Sequence, residues 1–398
     1  ILPHLYLFVP LLTMGIIGGE YNSGTFGLLY SSPIKLHKIV LGKFLGIAMY
    51  NFLLVMVVGI FMITGFTTIK SLDYLPLICA ALGIYLFLCA LSAIGFFMSS
   101  LTTYQVVSAI ASFTVLFLLS RIGTLWQEYD FVRDLTYFLS LYGRLEKFIL
   151  GLLTTKDVLY YLIIMAMFIG FTWLKLRAGQ ETRPWYVKTG RYLAVIVAGL
   201  TIGYISSRPL FTGYFDTTAT NMNTVHPRTQ EILKRFNEGP LEVTMYTNIF
   251  AHNARAIGLP KDRNNYLSEL WEGYQRFKPD IDYKYEYFYH IPESQKNIYK
   301  SNPGKSIQQI VGMMAKSLQV DSALIKSPEA IAKLFDLETE DHVFMQLKYK
   351  GRTAILRTYF RNGMWPDQQN MNAAFRRLLQ DSIPQVYFLT GELQRNIH

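Results

Sequence analysis

The chain has 398 residues, 51% of them hydrophobic and 15% aromatic, with 38 Lys and Arg against 28 Asp and Glu. Of these charges, residues 1–206 carry 14 basic and 8 acidic, leaving 24 and 20 for residues 207–398, so a membrane-like half precedes an ordinary soluble half. Much of the net charge of +10 sits in loops between apolar runs, so membrane topology accounts for it more simply than a nucleic-acid partner does.

A membrane-crossing helix needs about 20 mainly apolar residues. Six stretches come close: 1–17, 41–64, 76–98, 104–120, 157–174 and 191–206. The chain opens at Ile1 with no Met and no charged leader, and it reads as a fragment whose true N-terminus is missing. Cys79 and Cys89 share one apolar segment; on a helix their separation of ten residues is about 15 Å, too far to pair with each other. With no cysteine after residue 89, the soluble half has no disulfide and no thiol chemistry.

Between the first two runs lies a polar, glycine-interrupted insert, Gly18 to Lys43. It contains Glu20, Gly24 and Thr25, an apolar patch of Phe26, Leu28 and Leu29, a helix stop at Ser32-Pro33, and then Lys35, Lys38 and Lys43. A short interfacial helix exposing Phe26, Leu28 and Leu29 would suit a groove on a partner. The excess of basic residues here and around 175–191 (Lys175, Arg177, Arg183, Lys188, Arg191 against Glu181) predicts that both loops are cytosolic. The uncharged turn Ser99 to Thr103 is placed inside by alternation alone. Six spans that begin by running inward would leave residues 207–398 extracytoplasmic. The outer loop 121–156 carries an apolar-periodic segment, Phe138, Leu139, Leu141, Leu145, Phe148, Ile149 and Leu152, expected to lie on the membrane as a short interfacial helix.

The soluble half begins with a polar connector, Thr212 to Thr224. Periodicity then predicts helices over 227–237, 266–277, 305–319 and 367–381, a short one starting at Ser327-Pro328, and strands over 241–247, 282–289, 342–349, 352–360 and 385–390. Lys350-Gly351 reads as the turn of a hairpin. From Leu241 to Asp381 the order is β-α-β-α-β-β-α, which matches a thioredoxin-like layout. The fold expected is therefore an α-helical polytopic membrane domain (1–206), an extracytoplasmic α/β domain (207–384) and the start of a further α/β unit (385–398).

Few motifs suggest catalysis. Ser301 to Ser306 ends in Gly-Lys-Ser, but a phosphate-cradling loop needs a glycine where Tyr299 stands, so a turn leading into a helix is preferred. The seven histidines are scattered, and the pairs His290 with Glu293 and Asp341 with His342 read as solvated ends, not metal ligands. Arg376-Arg377 and the tyrosine-rich strand at 283–289 make a poor nucleic-acid surface, since alternating tyrosines are usual on a half-buried sheet.

The run Glu20 to Pro33, followed by Val40-Leu41-Gly42-Lys43-Phe44, resembles the signature of ABC-2 type transporter permeases in Glu20, Gly24, Thr25, Leu28, Leu29, Pro33, Gly42 and Lys43; Gly27 stands where that family often has Glu. The resemblance covers about residues 1–175 and implies one further span before Ile1. It also implies that Glu20, Tyr21, Gly24, Thr25, Phe26, Leu28, Leu29 and Pro33 form the coupling surface for a separate ABC ATP-binding subunit. ATP and Mg would be held by that partner, with no cofactor in this chain. The second half resembles the auxiliary subunit of gliding-motility-type (Gld) ABC transporters in Phe215-Asp216-Thr217-Thr218, Asn223-Thr224-Val225, Thr229-Gln230-Glu231-Ile232-Leu233 and Val386 to Glu392. The expected protein is thus a multi-pass inner-membrane subunit, paired with a second permease or another copy of itself, in contact with lipid and an envelope protein, and not an enzyme. A force-transmitting protein without substrate and a membrane-anchored envelope enzyme remain as alternatives.

Overall fold

Helix formation in the first half follows from long uninterrupted apolar runs bounded by prolines and polar turns. The computed structural model describes residues 2–31, 33–70, 72–122, 140–208, 211–251, 253–291, 297–337, 342–358 and 365–380. It divides into two units, Ile1–Thr224 and Val225–His398. The first unit contains α1 (Leu2–Thr13), α2 (Gly18–Asn22), α3 (Phe26–Ser31), α4 (Leu36–Thr68), α5 (Leu75–Leu101), α6 (Gln105–Arg121), α7 (Tyr142–Ile149), strand β1 (Leu152–Thr154), α8 (Thr155–Ala178), α9 (Trp185–Ser206) and strand β2 (Tyr214–Asp216).

Four of these helices, α4, α5, α8 and α9, are long and apolar enough to cross a membrane. The expectation was six. Helices also form at the other two stretches, where the 12 described residues of α1 and the 17 of α6 measure about 18 and 26 Å at 1.5 Å per residue. The 33 residues of α4 extend about 50 Å, well beyond a hydrocarbon core of about 30 Å. Both cysteines lie in α5, buried and unpaired.

Helix α5 is the axis of the unit. It packs against α1, α4, α6, α7 and α8 and buries Phe87, Leu91, Ala93, Ile94 and Phe96 completely. Ring contacts fix the direction of its neighbour α8: Phe87 meets Tyr161, and Phe97 meets Phe168 and Phe171, so the two helices run parallel. One end of the unit therefore gathers the start of α5, α7 and the start of α8. The other gathers the end of α5, the insert and the loop between α8 and α9.

The amphipathic segment expected to lie on the membrane surface does something different in its described part. Helix α7 turns Leu145 and Phe148 into the bundle, fully buried, and its one buried cation, Arg144, pairs with Asp157 at 2.6 Å. Apolar spacing alone cannot tell lipid from protein as the surface that the stripe covers. Residues 138 and 139 lie outside the described residues.

The expected boundary followed Ser206, yet 211–224 packs with the first unit. β2 pairs antiparallel with β1, and Thr217 and Asn223 donate to Gly151 O and Leu150 O at 2.7 and 2.8 Å. The backbone N–H of Ala219 donates to Asp73 at 2.6 Å.

The second unit is built on a five-stranded sheet of β3 (Leu241–Asn248), β4 (Ile281–Phe288), β5 (Ile325–Lys326), β6 (Val343–Tyr349) and β7 (Arg352–Arg357), in the order β5-β4-β3-β6-β7. β3, β4 and β5 are parallel, whereas β6 and β7 form an antiparallel hairpin beside β3. The hairpin turns on Lys350 and Gly351, both with positive φ, as a two-residue turn of the right twist requires. The labelled helices here are α10 (Pro227–Lys234), α11 (Ile307–Leu318) and α12 (Gln368–Leu379). Between β3 and β4 a run of tight and wide helical turns covers Ala254–Gly258 and Pro260 to Gln275. The residues of β3 and β6 alternate between two cores, with Val243, Met245, Met345 and Leu347 on one side with Trp271 and Phe375, and Tyr246 and Phe344 on the other with Phe335.

Gly304 to Ser306 is a turn into α11, where Ser306 and Gln309 form a reciprocal cap at 3.3 and 2.9 Å. The strand expected at 385–390, the turn at 391–392 and the unit 385–398 lie outside the described residues, as do Glu293 and Asp341.

Candidate functional site

The insert folds as two short helices, α2 and α3, at the end of the bundle where α5 hands over to α6. Ser99 on α5 builds the first anchor: its hydroxyl accepts the backbone N–H groups of Ile17 and Gly18, each at 3.1 Å, and donates to Met14 O at 2.9 Å. Those amides belong to a helix start, which leaves N–H groups without intrahelical acceptors. Gly18 is required by proximity, because a Cβ there would lie 2.8 Å from Thr102 O.

A charge pair builds the second anchor. Lys43, in the second turn of α4, donates to the Glu20 carboxylate and reaches Ile16 O at 3.3 Å. Each is only partly exposed, and Glu20 Oε2 is buried with no hydrogen-bond partner among the described residues. A half-buried pair of this kind is screened less than a surface one. It ties α2 to the first turns of a membrane-crossing helix, two members of the sequence signature joined across 23 residues.

Between the helices the chain reverses at Gly24, whose φ of 72° suits glycine. Thr25 and Ser23 share a hydrogen bond of 2.9 Å, and both hydroxyls turn back to Glu20 O, at 3.4 and 3.3 Å. The Tyr21 and Phe26 rings stack with centroids 4.0 Å apart. Phe26 was expected on the exposed patch and is instead buried, at 4% exposure, because it is the residue that holds α3 to α2 and the bundle. Leu28 does project, at 72%. The Leu29 side chain lies outside the described residues, and exposed Pro33 precedes the start of α4.

At the same end the loop from α8 to α9 is closed by Glu181, which accepts from Arg177 at 2.5 Å and Arg191 at 2.8 Å. Those two guanidinium groups, Arg191 foremost, hold the Glu181 carboxyl below its ordinary pKa. Sequence reading missed the anchor Ser99, since the uncharged turn 99–103 had no pattern of its own. The one signal available was its position between two apolar runs.

At the opposite end the Phe215-Asp216-Thr217-Thr218 run forms a compact carboxylate loop. Asp216 accepts from the Thr218 hydroxyl at 2.7 Å, from the Asn223 backbone N–H at 2.8 Å and from the Thr224 hydroxyl at 3.0 Å. Partial burial pushes its pKa up, but these donors outweigh that and leave it below the ordinary carboxylate value. Among the described residues no group of three or more His, Cys, Asp or Glu side chains could hold a metal ion.

A bundle with four apolar helices of crossing length defines a multi-pass membrane protein. Residues 6–128, from α1 past the end of α6, match the family model of the ABC-2 family transporter protein, the membrane component of a transporter. No curated protein and no solved structure matches the chain.

Proposed function

We propose that this chain is the membrane subunit of an ABC transporter complex, with ATP and its magnesium bound and hydrolysed by a separate subunit that docks on α2 and α3. The observation that carries this reading is the double anchoring of the insert, to α4 through Glu20–Lys43 and to α5 through Ser99, with Leu28 left projecting. A push on α3 would be passed to two membrane-crossing helices at once. Coupling of this kind requires two arrangements of the bundle that differ in affinity for the partner.

The basic segments 35–43 and 175–191 lie at the same end of the bundle as the insert, which supports a cytosolic placement for that end. The chain leaves the first unit at the other end, which supports an extracytoplasmic second unit at an inner membrane. The strand order β4-β3-β6-β7, with two parallel strands and an antiparallel hairpin, supports a thioredoxin-like layout without thiol chemistry. The Asp216 loop, which packs on the first unit, supports reading residues 207–398 as a gliding-motility-type auxiliary region, the complex doing export or envelope-side work with a second permease subunit or copy.

Glu20→Lys and Leu28→Asp test the docking claim directly. Both are expected to lower co-purification with the ATP-binding subunit while membrane insertion, read by alkaline extraction, is unchanged. Wild-type recovery of the partner with both variants would overturn it.

A further inference from the structure

The second unit holds a charged cleft of about 420 Å³ between α10 and α12 that the proposed function does not use. Helix α10 buries Thr229, Ile232 and Leu233, which leaves Arg228, Glu231 and Arg235 along its exposed flank at three- and four-residue spacing. Helix α12 buries Met371, Ala374, Phe375 and Leu378 and brings Arg376 to the same cleft. Three guanidinium groups therefore line a concavity in which the one carboxylate is Glu231.

Helix electrostatics explain only part of this. Arg235 and Arg376 sit at helix C-terminal ends, where a cation is stabilised by the macrodipole. Arg228 is in the first turn of α10, where a positive charge is disfavoured. None of the three makes an ion pair or side-chain hydrogen bond among the described residues. Unspent cations in a concave site concentrate anions, and the planar guanidinium fork matches phosphate oxygens two at a time. The volume falls in the range of small-ligand sites, about 300–1,000 Å³. Nucleic acid fits less well, because no aromatic side chain lines the cleft and Tyr283 and Tyr285 are packed against Tyr266 in the core.

We propose that the cleft between α10 and α12 binds a phosphate group through Arg228, Arg235 and Arg376, presented either by a soluble phosphate compound or by an anionic phospholipid headgroup. The test uses the full chain in phosphatidylcholine nanodiscs, titrated with inorganic pyrophosphate by microscale thermophoresis. Saturable binding is expected, weakened about tenfold or more by each of R228Q, R235Q and R376Q, since a hydrogen bond to a charged group is worth roughly one decade of affinity. A control carrying K300Q, K316Q and K333Q, exposed lysines elsewhere on the unit, is expected to bind as the parent does. Repeating the titration with phosphatidylglycerol in the disc separates the sources: competition assigns the cleft to a lipid phosphate, and unchanged affinity assigns it to a soluble one. No binding at millimolar pyrophosphate, or equal loss in the arginine variants and the lysine control, would overturn the proposal.

Discussion

Two carboxylates at the end of the first unit remote from the insert show how burial and hydrogen bonding set a residue's worth. Asp157 is fully buried and is held by Arg144 at 2.6 Å and by the Thr154 hydroxyl at 2.5 Å, while Thr154 also caps α8 by accepting from the Asp157 backbone N–H. Arg144 in turn lies 4.0 Å above the Tyr160 ring. Removing one partner of a buried pair leaves an uncompensated charge and costs about 3–5 kcal/mol, whereas replacing both by apolar groups of similar volume is far milder. Arg144→Met alone is therefore expected to lower the unfolding temperature in detergent more than Arg144→Met combined with Asp157→Leu; an equal or larger loss in the double variant would show that the pair itself is the stabilising element. Asp216 makes a pH-dependent contribution instead. Its folded pKa is depressed, so its contribution is present above the unfolded value of about 3.9 and is lost as pH falls through the folded one. Asp216→Asn is expected to be less stable than the parent at neutral pH, and thermal scans should show that gap closing below about pH 4. A gap constant with pH would mean that the loop depends on shape alone.

At the scale of elements, α3 separates two roles that the sequence had run together. Its apolar residues looked equivalent as an exposed patch, but Phe26 stacks on Tyr21 and is buried, and Leu28 is exposed. Phe26→Ala should thus lower both thermal stability and partner recovery, with Phe-to-Ala losses in cores running about 3–5 kcal/mol and less expected in so short a helix. Leu28→Asp should lower recovery alone. What was legible in advance was whatever rests on local rules: the hairpin at Lys350-Gly351, the turn into a helix at Ser301 to Ser306 and the strands β3 and β6 all come from neighbours a few residues apart. What was not legible depended on distant partners. The anchoring by Ser99 and the packing of Phe148 against Gly83 arise from contacts dozens of residues away in sequence, and β5, only two residues long, has no periodicity to read. The stretches at α1 and α6 were judged by apolar content, and the helices described there end at Thr13 and Arg121.

For the whole molecule, the arrangement of ends matters more than the number of spans. Parallel packing of α5 and α8, antiparallel return through α9, and pairing of β1 with β2 put the insert and the loop 179–184 at one end, and the loop 72–74, α7 and 211–224 at the other. Helix α6 carries the chain between these ends even though it is shorter than a usual crossing, and α1 runs beside α5 and α6. Orientation then reduces to one binary question, which labelling answers. In a background with Cys79 and Cys89 changed to Ala, Met222→Cys and Lys38→Cys each place one thiol on an exposed site, Met222 being 80% exposed. If the positive-inside rule sets the topology, a membrane-impermeant maleimide should label Met222→Cys in intact cells and Lys38→Cys only after permeabilisation. The reverse pattern would turn the molecule over: the insert could no longer meet a cytosolic ATP-binding subunit, and the arginine cleft of the second unit would have to find its phosphate in the cytosol. Labelling of both sites in intact cells would mean that the α6 crossing is incomplete, which would separate the two ends from the two sides of the membrane.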